Sequence, residues 1–193
     1  MTHERSETKM NDNSSQNIPE VGDDENITSV MIYTHNMLAW GQVVTKKAIK
    51  LNTWLRTPAL PQYILLYDAK LITYTGGIPR PQTFSELFLP SPQVVGFHLK
   101  PPVHEPVDYD PDEPMRKMLP TTALIGPFRF DGYLRMSTQT NLERFLDVTT
   151  ETFTSMYDLQ ISQPSIPSIG VIKVPMGLIR NKAVIFSPWV NEE

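Results

Sequence analysis

The residues that could do chemistry are few and scattered. Asp68 and Asp158 each follow a tyrosine, in the pairs Tyr67-Asp68 and Tyr157-Asp158. Carboxylates at matching positions could share acid–base work if they faced each other, because close like charges push their pKa values apart. The plainer reading is that Tyr-Asp ends a strand and the aspartate bonds to turn backbone. The histidines His3, His35, His98 and His104 lack the HxxxH or HExxH spacing that sets two imidazoles on one helix face. The run Asp108-Tyr-Asp-Pro-Asp-Glu113 starts like a calcium loop. It then puts Glu113 where the sharp turn needs Gly and Leu119 where a bidentate acid is needed. No nucleophile elbow or dinucleotide-binding glycine pattern occurs, and Gly76-Gly77 lacks the lysine and helix of a phosphate loop. No catalytic residue, metal site or cofactor is expected, and the chain reads as something other than an enzyme.

One cluster points elsewhere. Lys46, Lys47, Lys50 and Arg56 gather near Trp40 and Trp54. Basic side chains beside an aromatic can neutralise phosphates and stack bases, so a nucleic-acid-binding module is the alternative reading. Residues 1–26 and 101–115 hold most of the acids, from Glu4 to Glu25 and from Glu105 to Glu113. The net charge of −4 therefore hides a mildly basic remainder.

The chain has no cysteine, so disulfides and thiolate sites are excluded. Its N-terminus has no apolar signal region, and no run of 18 apolar residues suggests a membrane span. A cytoplasmic protein is expected. The Asn26-Ile-Thr28 glycosylation triplet is then a chance match.

The elements that must position these residues repeat. Aligning Gly41 with Gly132 brings Leu51 onto Leu142, Trp54 onto Phe145 and Leu55 onto Leu146. One residue of slippage brings Tyr67-Asp68 onto Tyr157-Asp158. A second brings Leu89 onto Leu178, Val95 onto Val184 and Phe97 onto Phe186. Such a repeat would set the whole fold. Each copy reads as two strands (Val30–Tyr33 and Ala39–Val44 in the first), a short helix, and three further strands. For the first copy these are Tyr63–Tyr67, Leu71–Tyr74 and Gln93–Leu99. In the second copy Thr140 and Glu143 fit a capping box before the stripe Leu142, Phe145 and Leu146. The expected class is α+β, with two similar modules, each a curled antiparallel sheet with one short helix, as a pseudo-two-fold tandem repeat. The expected divisions are a disordered acidic tail over 1–26, modules over 27–100 and 118–193, and a Pro-rich acidic linker over 101–117.

Two resemblances accompany this layout. Residues Gly170–Phe186, with Ile179-Arg180-Asn181 between two apolar runs, resemble the second signature of Sm-like RNA-binding barrels, with Asn181 in place of its Gly. The order of Gly, aromatic-Leu helix, Tyr-Asp and closing Val-rich strands resembles a bacterial family of small β-rich domains of unknown function, present as a tandem pair. That resemblance implies no active site. The expected role is a protein-interaction or assembly module, binding an unknown protein partner or itself.

Overall fold

In a computed structural model the chain forms one antiparallel sheet of ten strands. The structure describes residues 19, 21–57, 60–74, 80–164 and 170–188. The strands are β1 (Glu25–Tyr33), β2 (Met37–Lys46), β3 (Tyr63–Thr73), β4 (Gln82–Pro90) and β5 (Gly96–Leu99). They continue as β6 (Arg116–Ile125), β7 (Phe128–Ser137), β8 (Phe153–Ser162), β9 (Ile172–Arg180) and β10 (Ile185–Pro188). Across the sheet they run β10-β6-β7-β8-β9-β5-β1-β2-β3-β4. Strands β1–β5 and β6–β10 thus follow one pairing scheme, and β9 to β5 joins the two halves.

The expected α+β class is corrected to all-β. The segment Leu51–Trp54 (α1) is a single turn, and among the described residues only Leu142–Val148 (α2) is longer. The two curled sheets expected to pair about a two-fold are one continuous sheet joined head to tail. A two-fold would bring like strands together, whereas here unlike strands, β9 and β5, meet. The physical reason is visible in β1. Alternate side chains on a strand point to opposite faces. Val30 and Ile32 enter one core while Met31 and Tyr33 enter the other. A strand apolar on both faces belongs inside a sheet covered on both sides. The two cores therefore lie on opposite faces of the sheet.

The repeated Gly and Asp acquire a concrete meaning. Between Trp40↔Lys70 and Gln42↔Tyr67 the register slips by one residue. It slips again between Asp131↔Gln160 and Tyr133↔Tyr157. The extra residues are Asp68 and Asp158, at φ 46° and 49°, a left-handed conformation that aspartate tolerates. A Cβ on Gly41 would stand 2.7 Å from the Tyr67 carbonyl oxygen, and one on Gly132 would stand 2.6 Å from that of Tyr157. Each bulge thus presses its strand onto a position that only glycine fits.

Other boundaries shift. The segments Tyr63–Tyr67 and Leu71–Tyr74 are one strand, β3, kinked at Asp68. Strand β4 is an addition that the sequence reading lacked. The pairs Tyr63↔Pro90 and Leu71↔Gln82 recur as Phe153↔Arg180 and Ile161↔Ile172. Leu89 therefore corresponds to Ile179, and Phe88 to Leu178. Helix α2 is capped by Asn141, whose Oδ1 accepts from the Arg144 N–H at 2.9 Å, one residue later than the expected Thr140. Of the tail expected over 1–26, residues 1–18 and 20 lie outside the described residues, as do Pro58, residues 75–79 and residues 165–169. Glu25 and Asn26 open β1.

Candidate functional site

The acidic linker lies over the sheet, and its contacts form a dense polar cluster. The Tyr157 hydroxyl donates to Asp108 Oδ1 at 2.6 Å, and the Ser155 hydroxyl donates to Oδ2 at 2.7 Å. The Arg56 guanidinium reaches Oδ2 at 3.2 Å and also donates to the Ser155 hydroxyl. Burial opposes the Asp108 charge, but the Tyr157 and Ser155 hydrogen bonds and the Arg56 charge outweigh it, so its pKa lies below the usual carboxylate range. Burial, reinforced by the Asp108 bond, pushes the Tyr157 hydroxyl well above its ordinary value. Tyr109 packs edge-on against Tyr157, with Arg135 over its ring. Arg135 in turn binds Glu113 at 2.6 Å. Glu105 accepts the Leu51 N–H at the start of α1. Asp108 with Arg56 and Glu113 with Arg135 are matched charges, and the cluster works as a strap that ties the linker to both halves.

This strap takes up part of the expected nucleic-acid face. Arg56 belongs to Asp108. Lys46 pairs with Asp24 at 2.8 Å and Glu25 at 3.4 Å, and Lys47 donates to the Asp23 carbonyl. Lys50 is exposed and its carbonyl starts α1. Trp54 packs against the first core, and Trp40 and Phe145 against the second. The aromatics that would stack bases are therefore engaged elsewhere. Asp68 and Asp158 do not meet, because four strands (β9, β5, β1 and β2) separate β8 from β3. Among the described residues no group of three or more His, Asp or Glu side chains is placed to hold a metal ion. No helix among them is long and apolar enough to cross a membrane.

A buried polar pair marks the junction between the halves. His98 Nδ1 lies 2.7 Å from the Leu99 carbonyl, which can only accept, so that nitrogen carries the proton. Nε2 is then the acceptor for the Tyr33 hydroxyl at 3.0 Å. Burial drives the His98 pKa down to about 4, against a partial rise from the Leu99 bond.

The candidate binding surface emerges when equivalent positions of the two halves are compared. Phe153 on β8 and Leu178 on β9 insert into the first core, each only 1% exposed. Their counterparts on β3 and β4 are Tyr63 and Phe88, which are 54% and 58% exposed. Leu65, which pairs with Phe88, shares that face. The linker covers Ser155 and Tyr157 on β8. No described segment covers their counterparts Leu65 and Tyr67 in the same way. The surface that the C-terminal half uses to hold the N-terminal half is therefore left bare on β3 and β4, beside the sheet's outer edge. Sequence reasoning missed it because β4 was not recognised. The one available signal was the register that matches Tyr67 with Tyr157, which four residues earlier sets Tyr63 against Phe153. Compared with family models, curated proteins and solved structures, the chain finds no match.

Proposed function

We propose that this chain is a non-catalytic protein-interaction module whose binding surface is the Tyr63, Leu65 and Phe88 face beside the β4 edge. The observation that carries this reading is the contrast between Phe88 and Leu178. The same strand position is solvent-exposed on one half and sealed in a core on the other. Two large apolar side chains exposed side by side next to an unpaired strand edge are a recurrent mark of protein contact. The strap argues in the same direction. It ties the linker to both halves through Asp108 and Arg56, which favours a fixed binding platform.

The test is a capture experiment with wild-type protein and the doubly substituted Tyr63→Lys/Phe88→Lys variant as baits. A protein held by wild type, lost with the variant and bound again when both purified components are mixed supports the proposal. Identical captured sets, at equal thermal stability of the baits, would contradict it.

A further inference from the structure

The internal junction has two sides, and each recurs incompletely covered at an opposite end of the sheet. On the inserting side, Phe153 and Leu178 are buried, whereas Tyr63 and Phe88 are bare. On the receiving side, Leu51, Leu55 and Phe97 are buried in the first core, which Phe153 and Leu178 complete. Their counterparts at the other end are Leu142, Leu146 and Phe186, and all three are only partly buried. Val148, the counterpart of Thr57 on the rim of the junction cleft, is 61% exposed. An unfilled receiver and an unburied insert on one chain are complementary to each other across two copies.

We infer that a second copy of this chain is the occupant of the Tyr63–Phe88 face, which docks head to tail on the partly buried Leu142, Leu146 and Phe186 of α2 and β10 of its neighbour. This rests on the interaction reading above and specifies the partner. The contact repeats the apolar half of the β9–β5 junction without its strand pairing. In the junction the Arg180 N–H donates to the Val95 carbonyl, and Pro90 at that position has no N–H to give. Gly96 permits the close approach of the halves, since a Cβ there would stand 2.8 Å from Ile125 Cδ1, and its counterpart is Ile185. The docked copies are thus held by side chains alone, and their association is weaker than the internal joint and dependent on concentration. Because the two surfaces differ, the contact is heterologous and builds open rows or closed rings.

Sedimentation velocity over a wide concentration range tests this with three proteins. Wild type is expected to self-associate reversibly. Tyr63→Lys/Phe88→Lys removes the insert and Leu146→Lys removes the receiver, so each variant alone is monomeric. Their mixture forms a one-to-one dimer, because one intact insert meets one intact receiver. Val148→Lys, on the exposed rim, replaces Leu146→Lys if the latter lowers the melting temperature. Monomeric wild type at every concentration overturns the inference, while capture of a foreign protein on the same face would still uphold the interaction reading. An insert variant that is monomeric beside a receiver variant that associates as wild type does also overturns it, since that pattern means like surfaces meet. Identical captured sets in the capture experiment, with self-association absent as well, remove both.

Discussion

Strands β3–β4 and strands β8–β9 share a bulge, a glycine opposite it and a matching register, yet they live in different surroundings. On β8 and β9 the outer face is sealed, by the N-terminal half through Phe153 and Leu178 and by the linker through Ser155 and Tyr157. On β3 and β4 the counterparts Tyr63 and Phe88 are exposed, and Leu65 and Tyr67 are half-buried. The backbone plan alone therefore does not decide what is core and what is surface. The neighbour decides it, and in this molecule the neighbour is the other half. The comparison also explains the polar residues at the far end of the sheet. Met31 and Leu38 enter the second core, whereas the equivalent Thr122 and Arg129 join Asp131 in a hydrogen-bonded cluster.

The sharpest way to break this comparison is to truncate equivalent side chains. Phe153→Ala empties part of a sealed core and is expected to cost about 3–5 kcal/mol. Tyr63→Ala at the bare counterpart should stay within about 0.5 kcal/mol. Urea unfolding of the two variants measures both, and equal losses would mean that the two faces are not differently covered. The second effect concerns the junction alone. Unfolded His98 takes up a proton near pH 6.5, but the folded protein resists until about 4. The unfolded state therefore binds more protons throughout that window, and stability falls as pH falls from 6.5 to 4. The loss is on the order of 3 kcal/mol. His98→Gln flattens this part of the stability–pH curve, and an unchanged slope in the variant would assign the dependence to another group. Ser187 holds the corresponding place in the C-terminal half, so no matching response comes from there.

Smaller effects sharpen what the halves share. Gly41→Ala and Gly132→Ala each force a Cβ onto a carbonyl oxygen, and each should cost about 1–3 kcal/mol, with similar values in both halves. A large difference between the two would show that the bulges are not equivalent. Asp108→Asn leaves Arg56 without its counter-charge and weakens the bonds from Tyr157 and Ser155. The expected loss is about 1 kcal/mol, read as a lower urea midpoint, and no loss would reduce the strap to a passive crossing.

Much of this was legible in the residues, though not its meaning. The recurrence of Gly41 with Gly132 and of Asp68 with Asp158 was visible as spacing. That each pair forms a bulge and its seat requires the register of two strands. The run Val30–Tyr33 signalled a buried strand, but burial on both faces depends on which neighbours arrive, and those lie far off in sequence. Strand β4 was missed because Pro90 ends it and the charged Glu86 interrupts its apolar pattern, features that suit an edge strand. The acidic segment read as a linker and no more because its partners, Arg56, Tyr157 and Arg135, come from both halves. The α+β expectation weighed the helical stripes Leu51–Leu55 and Leu142–Leu146 by pattern. The segments are too short for helices to form a layer of their own.

Amide hydrogen exchange resolved along β4 and β9 addresses the bare face most directly. In dilute protein the outward-facing amides of Thr83–Leu89 should exchange fast while those of Gly177–Arg180 stay protected, and raising the concentration should slow β4, as side-chain docking shuts water from that edge, and leave β9 unchanged. Amides of β4 already as slow as those of β9 in dilute protein, or unchanged at high concentration, would contradict an open face that a second copy covers.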